Sequence, residues 1–174
     1  MAERDQLTRR ELIRVTAAVA VGAPGGLASE RTNKFFSNDE FAMVDELTEL
    51  IIPTDDHSPG AHAAHVAAYL DARLAESVEE ESKKRWHEGL KHIDALAHET
   101  HGKRFLEIAP GERIAVLSQI ATNEKNPQTP EDHFFLELKF KTADAYYSSK
   151  IGIHQEMEYK GNVLLPEFAG YEVK

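Results

Sequence analysis

From Phe36 to Lys150 the apolar residues recur at spacings of three and four, and no alternating run of strand length interrupts them. The pattern divides into helices with recognisable ends. In Phe36-Ser37-Asn38-Asp39-Glu40-Phe41, Ser37 is placed to cap a helix, Glu40 to complete a capping box, and Phe36 and Phe41 to form a hydrophobic staple. The first helix carries Phe41, Val44, Leu47 and Ile51 on one stripe and stops before Pro53. A polar connector, Thr54 to Gly60, follows. A second helix is expected from about Ala61 through Val66, Leu70 and Leu74 towards Val78. A third carries Trp86, Leu90, Ile93 and Ala97 and ends at Gly102. After the link Phe105–Ile108, Pro110 suits the first turn of a fourth helix with Ile114, Leu117 and Ile120 inward. Asn123 to Pro130 reads as loop. A fifth helix spans about residues 131–150 and presents Phe134, Phe135, Leu138, Ala145 and Tyr146.

Beyond residue 150 the pattern changes. Gly152, Gly161, Gly170 and Pro166 interrupt Met157, Tyr159, Val163, Leu164, Leu165, Phe168 and Tyr171. This is an apolar, aromatic tail with little expected regular structure. It must cover something, either its own helices or a partner, because exposed apolar patches of that size are unusual on a monomer. The expected fold is therefore all-α: a single compact bundle of about five helices with an irregular apolar C-terminal tail.

The first thirty residues stand apart. Thr8-Arg9-Arg10-Glu11-Leu12-Ile13-Arg14 leads into the short, weakly apolar run Val15–Ala23, followed by Pro24-Gly25-Gly26. A twin arginine before such a run reads as a twin-arginine export signal, and the run is shorter than the roughly 20 residues a membrane span requires. Small residues at Gly26 and Ala28 allow cleavage after Ala28, although there is no strict Ala-x-Ala. The expected division is residues 1–30 as signal peptide and 31–174 as a helical domain in the periplasm. A membrane association would come only through a partner.

Composition narrows the function. The net charge of −10 argues against nucleic acid and against an anionic membrane surface. There is no cysteine, hence no disulfide, thiolate metal site, covalent haem attachment or thiol nucleophile. No Gly-x-Gly, P-loop or Gly-x-Ser-x-Gly occurs, and neither Glu-x-x-His nor His-Glu-x-x-His is present for a helical metal centre. His62 with His65 and His98 with His101 share i, i+3 spacing, so each pair is a candidate two-ligand set for zinc or copper. The simpler reading makes them polar-face and helix-end histidines, favoured near a helix C-terminus by the dipole. Asp55, Asp56 and His57 in the connector suit a hard cation or a partner chain. Local turn chemistry explains them more simply. No residue is nominated as catalytic, cofactor-binding or metal-ligating.

Two segments also carry a family resemblance. Phe35-Phe36-Ser37, Glu40 and Val44-Asp45 lead into Leu47-Thr48-Glu49-Leu50-Ile51-Ile52-Pro53-Thr54-Asp55 and Ser58-Pro59-Gly60-Ala61. At the far end stand Tyr146-Tyr147-Ser148-Ser149-Lys150-Ile151-Gly152, Glu158-Tyr159-Lys160-Gly161-Asn162, Pro166 and Gly170. With Ile108–Arg113 between them, this resembles the gluconate 2-dehydrogenase subunit 3 family. The resemblance implies a small helical subunit whose large partner is a flavoprotein of the glucose-methanol-choline oxidoreductase type, carrying FAD and the catalysis. A multihaem cytochrome c, with haem c, often completes such complexes. In several of them the small subunit holds the only export signal. The resemblance brings no catalytic residues.

The reading that joins these strands is a non-catalytic small subunit that escorts, chaperones and stabilises a flavin-dependent sugar or sugar-acid dehydrogenase. A small histidine-based metal-binding protein and a free-standing helical binding module are the alternatives. The expected partner surface combines Asp55 and Asp56 of the connector with Tyr146, Tyr147, Tyr159, Leu164, Leu165 and Phe168.

Overall fold

The computed structural model describes residues 33–159 and 161. Arg9, Arg10, the cleavage region at Ala28, the division near residue 30, and the tail residues Val163, Leu164, Leu165 and Phe168 lie outside the described residues. Among the described residues there is no strand, only a single bridge between Thr54 and Pro59. The helices are α1 (Asn38–Ile51), the single turn α2 (Gly60–Ala63), α3 (Val66–Glu76), α4 (Glu80–His101), α5 (Pro110–Ile120) and α6 (Pro130–Tyr147). Short 3₁₀ turns at Phe105–Glu107 and Ala121–Asn123 flank α5, and a π-helical turn, Gly152–Glu156, follows α6. The all-α expectation holds, and among the described residues no helix is long and apolar enough to cross a membrane.

The start of α1 is as the sequence specifies. Ser37 Oγ accepts from the Glu40 amide at 3.2 Å, and the Ser37 amide donates to the Glu40 carboxylate at 2.9 Å. Phe36 is buried, and Phe41 packs partly buried against the same core. The chain leading into this cap is fixed from across the bundle. Asp71 of α3, itself buried, accepts the amides of Lys34, Phe35 and Phe36 at 2.7, 2.9 and 2.9 Å. A buried carboxylate is tolerable only when its lone pairs are filled, and here backbone donors fill them.

The middle of the core is Trp86, packed edge-on against Phe134 at 5.5 Å between ring centres and tilted against Phe36 at 5.7 Å. Leu47, Leu70, Leu90, Ile93, Phe105, Leu138 and Tyr146 close round it. α4 approaches α6 closely because residue 89 has no side chain: a Cβ there would clash with the Phe134 ring. Glycine in mid-helix costs about 1 kcal/mol relative to alanine, and the close contact of the two helices offsets it.

Three expectations need correction. The helix expected from Ala61 to Val78 is two helices, parted at His65, whose φ of 54° is left-handed. The break has a packing reason. Ala61 and Val66 are five residues apart, about 140° round a straight helix, yet both are fully buried; the turn brings both inward. α3 then stops at Glu76, and Val78 is 92% exposed. Second, Ile114 faces outward, 54% exposed, and the inner face of α5 is Val116, Leu117 and Ile120. Arg113 shares that face, donating to the carbonyls of Leu106 and Ile108 and pairing with Glu46 of α1 at 2.9 Å. Third, α6 ends at Tyr147 rather than near Lys150, and the chain after it is not irregular at once but forms the π-helical turn.

Replacing Asp71 by Ala strips the acceptor from three amides beside Phe36. The expected loss is about 3 kcal/mol, read as a lower denaturant midpoint with the same slope. An unchanged midpoint would show that the segment before α1 is not held by this carboxylate.

Candidate functional site

The residues that carry the resemblance in the first half of the chain meet in the connector between α1 and α2. Glu49, near the end of α1, reaches over it. One carboxylate oxygen accepts the Thr54 amide at 2.8 Å and the Thr54 hydroxyl at 2.7 Å. The other accepts the His62 amide at 2.8 Å in the first turn of α2. The His62 ring lies 3.4 Å from Asp45 and 3.6 Å from Glu49. Burial by itself would raise the Glu49 pKa, but the donors from His62 and Thr54 and the His62 charge outweigh it, so it sits below its usual value.

Inside this clasp Asp55 makes a tight turn. Its carboxylate accepts the amides of His57 and Ser58 at 2.8 and 2.7 Å, and the Asp55 amide donates to the Ser58 carbonyl at 2.8 Å. The Ser58 and His57 amides hold the Asp55 carboxyl below the usual range. Ser58 points inward, its hydroxyl 2.6 Å from that of Tyr146 in the buried interior. Gly60 has φ 75° with Thr54 and Glu49 filling the place of a Cβ, so both its backbone angle and its surroundings require glycine.

This geometry sorts the expected interface residues. Asp55 is a turn residue, as the simpler reading has it. Asp56 is exposed at the tip of the connector. Tyr146 is fully buried and bonded to Ser58, so it presents no surface to a partner, a correction to its place among the interface residues. Its hydroxyl is needed inside because Ser58 is buried too, and a buried hydroxyl requires a partner. Tyr147 and Tyr159 are 42% and 48% exposed. Leu164, Leu165 and Phe168 fall outside the described residues.

The structure places the two histidine pairs differently. The break at His65 places His62 in α2 and His65 ahead of α3, and His62 is engaged with Asp45 and Glu49. His98 is exposed, while His101 pairs with Glu112 of α5 at 3.4 Å. Among the described residues no group of three or more His, Asp or Glu could hold a metal ion.

A second feature is missing from the sequence reading. α6 is apolar on both faces. Phe134, Phe135, Leu138, Ala145 and Tyr146 are buried, but Phe140 is 73% exposed and Tyr147 joins it outside. At about 100° per residue, Leu136, Phe140, Ala143 and Tyr147 form one stripe, about 180–240° round the helix from Phe134. Their 4-3-4 spacing was the available signal. The rotation of α6 is set by Glu137, which accepts from Ser82 Oγ at 2.6 Å, Trp86 Nε1 at 3.0 Å and Arg85 at 2.6 Å. Burial would raise the Glu137 pKa; those three donors and the Arg85 charge bring it below its usual value.

The motif carboxylates of this helical bundle are engaged with its own backbone, and α6 turns aromatic side chains outward. The family described as gluconate 2-dehydrogenase subunit 3 matches residues 38–163, and the chain belongs to that family. It is thus one subunit of a multi-subunit dehydrogenase complex. No curated protein and no solved structure matches the chain.

Glu40, Glu49 and Glu137 all titrate in the folded chain below the usual 4.5. Because folding lowers these values, the stability they confer is complete above pH about 4.5 and is lost as pH falls through the folded values. Melting temperature should therefore drop on acidification below about pH 4.5. The Glu137→Gln variant should start lower at neutral pH and lose less on acidification. Parallel curves for the two proteins would remove Glu137 from the account.

Proposed function

We propose that this chain is a non-catalytic small subunit of a periplasmic, flavin-dependent dehydrogenase, and that it escorts and stabilises the FAD-carrying catalytic subunit. The observation that carries the reading is the family match over residues 38–163. Its companion is the engagement of Glu49, Asp55 and Ser58 in the chain's own backbone and in Tyr146, which gives the motif a structural task. The twin arginine at Arg9 and Arg10 supports the export half of the reading, since that route carries proteins already folded. A flavoprotein must bind FAD before leaving the cytoplasm, and a small subunit bearing the signal supplies the address for both. A multihaem cytochrome c as third subunit would pass the electrons on and provide the membrane association. The partner's substrate is a sugar or sugar acid, and the word gluconate in the family's description does not fix which.

The test is to produce the chain with its catalytic subunit and to measure flavin and dehydrogenase activity in the periplasmic fraction. The wild-type pair should export a yellow, active complex. With Arg9 and Arg10 both changed to Lys, the catalytic subunit should stay in the cytoplasm, still flavin-loaded. Export of an active catalytic subunit in the absence of this chain would contradict the escort role.

A further inference from the structure

We infer that the outer stripe of α6, centred on Phe140 and Tyr147, is the surface on which the catalytic subunit of the dehydrogenase docks, through an apolar groove without net charge of its own. The inference rests on the reading that this chain binds such a subunit. Three observations support the surface itself.

The first is the exposure of the stripe on a regular helix. Tyr69, Val78 and Ile114 are also exposed, but singly, on α3, in the link before α4 and on α5, as surface hydrophobics usually are. Phe140 and Tyr147 instead lie seven residues apart on one helix, with Leu136 and Ala143 completing the row. A helix apolar on two faces is a helix with two neighbours. The described chain supplies only the inner one.

The second is rigidity. The inner face of α6 is locked by Glu137 on Trp86, by Phe134 under Gly89 and by Tyr146 on Ser58. The Tyr147 ring is held edge-on to Tyr146 at 5.3 Å. The anchors are thus fixed before binding, and fixed aromatics at the centre of a contact lose little side-chain freedom on docking.

The third is charge. The chain carries −10 overall. On and just after the outer face of α6, however, the exposed Lys139 is paired with Glu124 at 2.6 Å, and the exposed Lys150 stands against the exposed Asp144 and Glu158. The stripe is a near-neutral window on an acidic protein. A second copy of this chain would bring another −10 to the contact, and mutual repulsion disfavours it. An uncharged apolar groove on a different subunit meets no such penalty. From Leu136 to Tyr147 the stripe runs about 16 Å, enough for the anchored centre of an interface of ordinary size but not for the whole. The exposed Met157 and Tyr159 of the turn after α6 extend the apolar surface available to the same partner.

The experiment uses the tagged full chain co-produced with its catalytic subunit, in wild-type form and with Phe140→Asp or Ile114→Asp. Ile114 serves as an exposed apolar control off the stripe. Phe140→Asp should reduce the retained flavoprotein at least tenfold, Ile114→Asp should leave it unchanged, and both free chains should melt with the wild type. Full retention by Phe140→Asp overturns the surface while leaving the escort reading intact. Failure of the wild-type chain to retain the flavoprotein overturns both. Two further results also overturn the surface. One is a Phe140→Asp chain that melts lower when free, which would show residue 140 covered by the chain itself. The other is a wild-type dimer that Phe140→Asp converts to monomer, which would show a second copy in that place.

Discussion

The hydrogen bond from Trp86 to Glu137 is the constraint on which most of the architecture turns. A buried indole needs an acceptor for its N–H, and a half-buried carboxylate needs donors for its oxygens. Each meets the other's need at 3.0 Å, with Ser82 and Arg85 completing the set from the same helix. Once α6 is rotated to bring Glu137 onto α4, Phe134 must lie over Gly89 and Leu138 must enter the core. Leu136, Phe140, Ala143 and Tyr147 are then left facing away. The exposed row of α6 is the other side of the way the core is closed.

The connector follows the same logic at smaller scale. Asp55, Asp56 and His57 suit a cation or a partner chain, but local turn chemistry explains them more simply. Here the connector is held from within: Glu49 gathers Thr54 and the first turn of α2, Asp55 reverses the chain, and Ser58 ties it to Tyr146. The motif that identifies the family thus holds two helices and α6 at a fixed angle.

Much of the fold was legible in the residues. The Ser37–Glu40 box, the stop at Pro53, the left-handed cap at Gly102 and the inner row of α6 all follow from local rules that tertiary contacts left intact. What was not legible depended on distant partners. His65 breaks a helix because Ala61 and Val66, about 140° apart on a straight helix, must both reach a core built by other helices. Ile114 lost the inward position to Arg113, whose charge is satisfied by Glu46 on another helix. Tyr146 and Tyr147 are identical neighbours in sequence, and the rotation of α6 that brings Glu137 onto α4 puts the first inside, where Ser58 meets its hydroxyl. Asp71, a carboxylate in the middle of an apolar helix, reveals its purpose only when the amides of Lys34 to Phe36 arrive beside it. The outer row of α6 was visible as a 4-3-4 repeat, but it was overlaid by the inner row, and two apolar faces on one helix cancel the periodic signal.

On the proposal above, the motif-bearing connector is internal support and the outer face of α6 receives the partner. Hydrogen–deuterium exchange of the chain, free and in complex with the flavin-bearing subunit, tests it most directly. The account predicts that the amides of Thr54 to Gly60 exchange alike in both states, and that the second half of α6, from Phe140 to Tyr147, slows strongly on complex formation. New protection concentrated in the connector, with α6 unchanged, would contradict it.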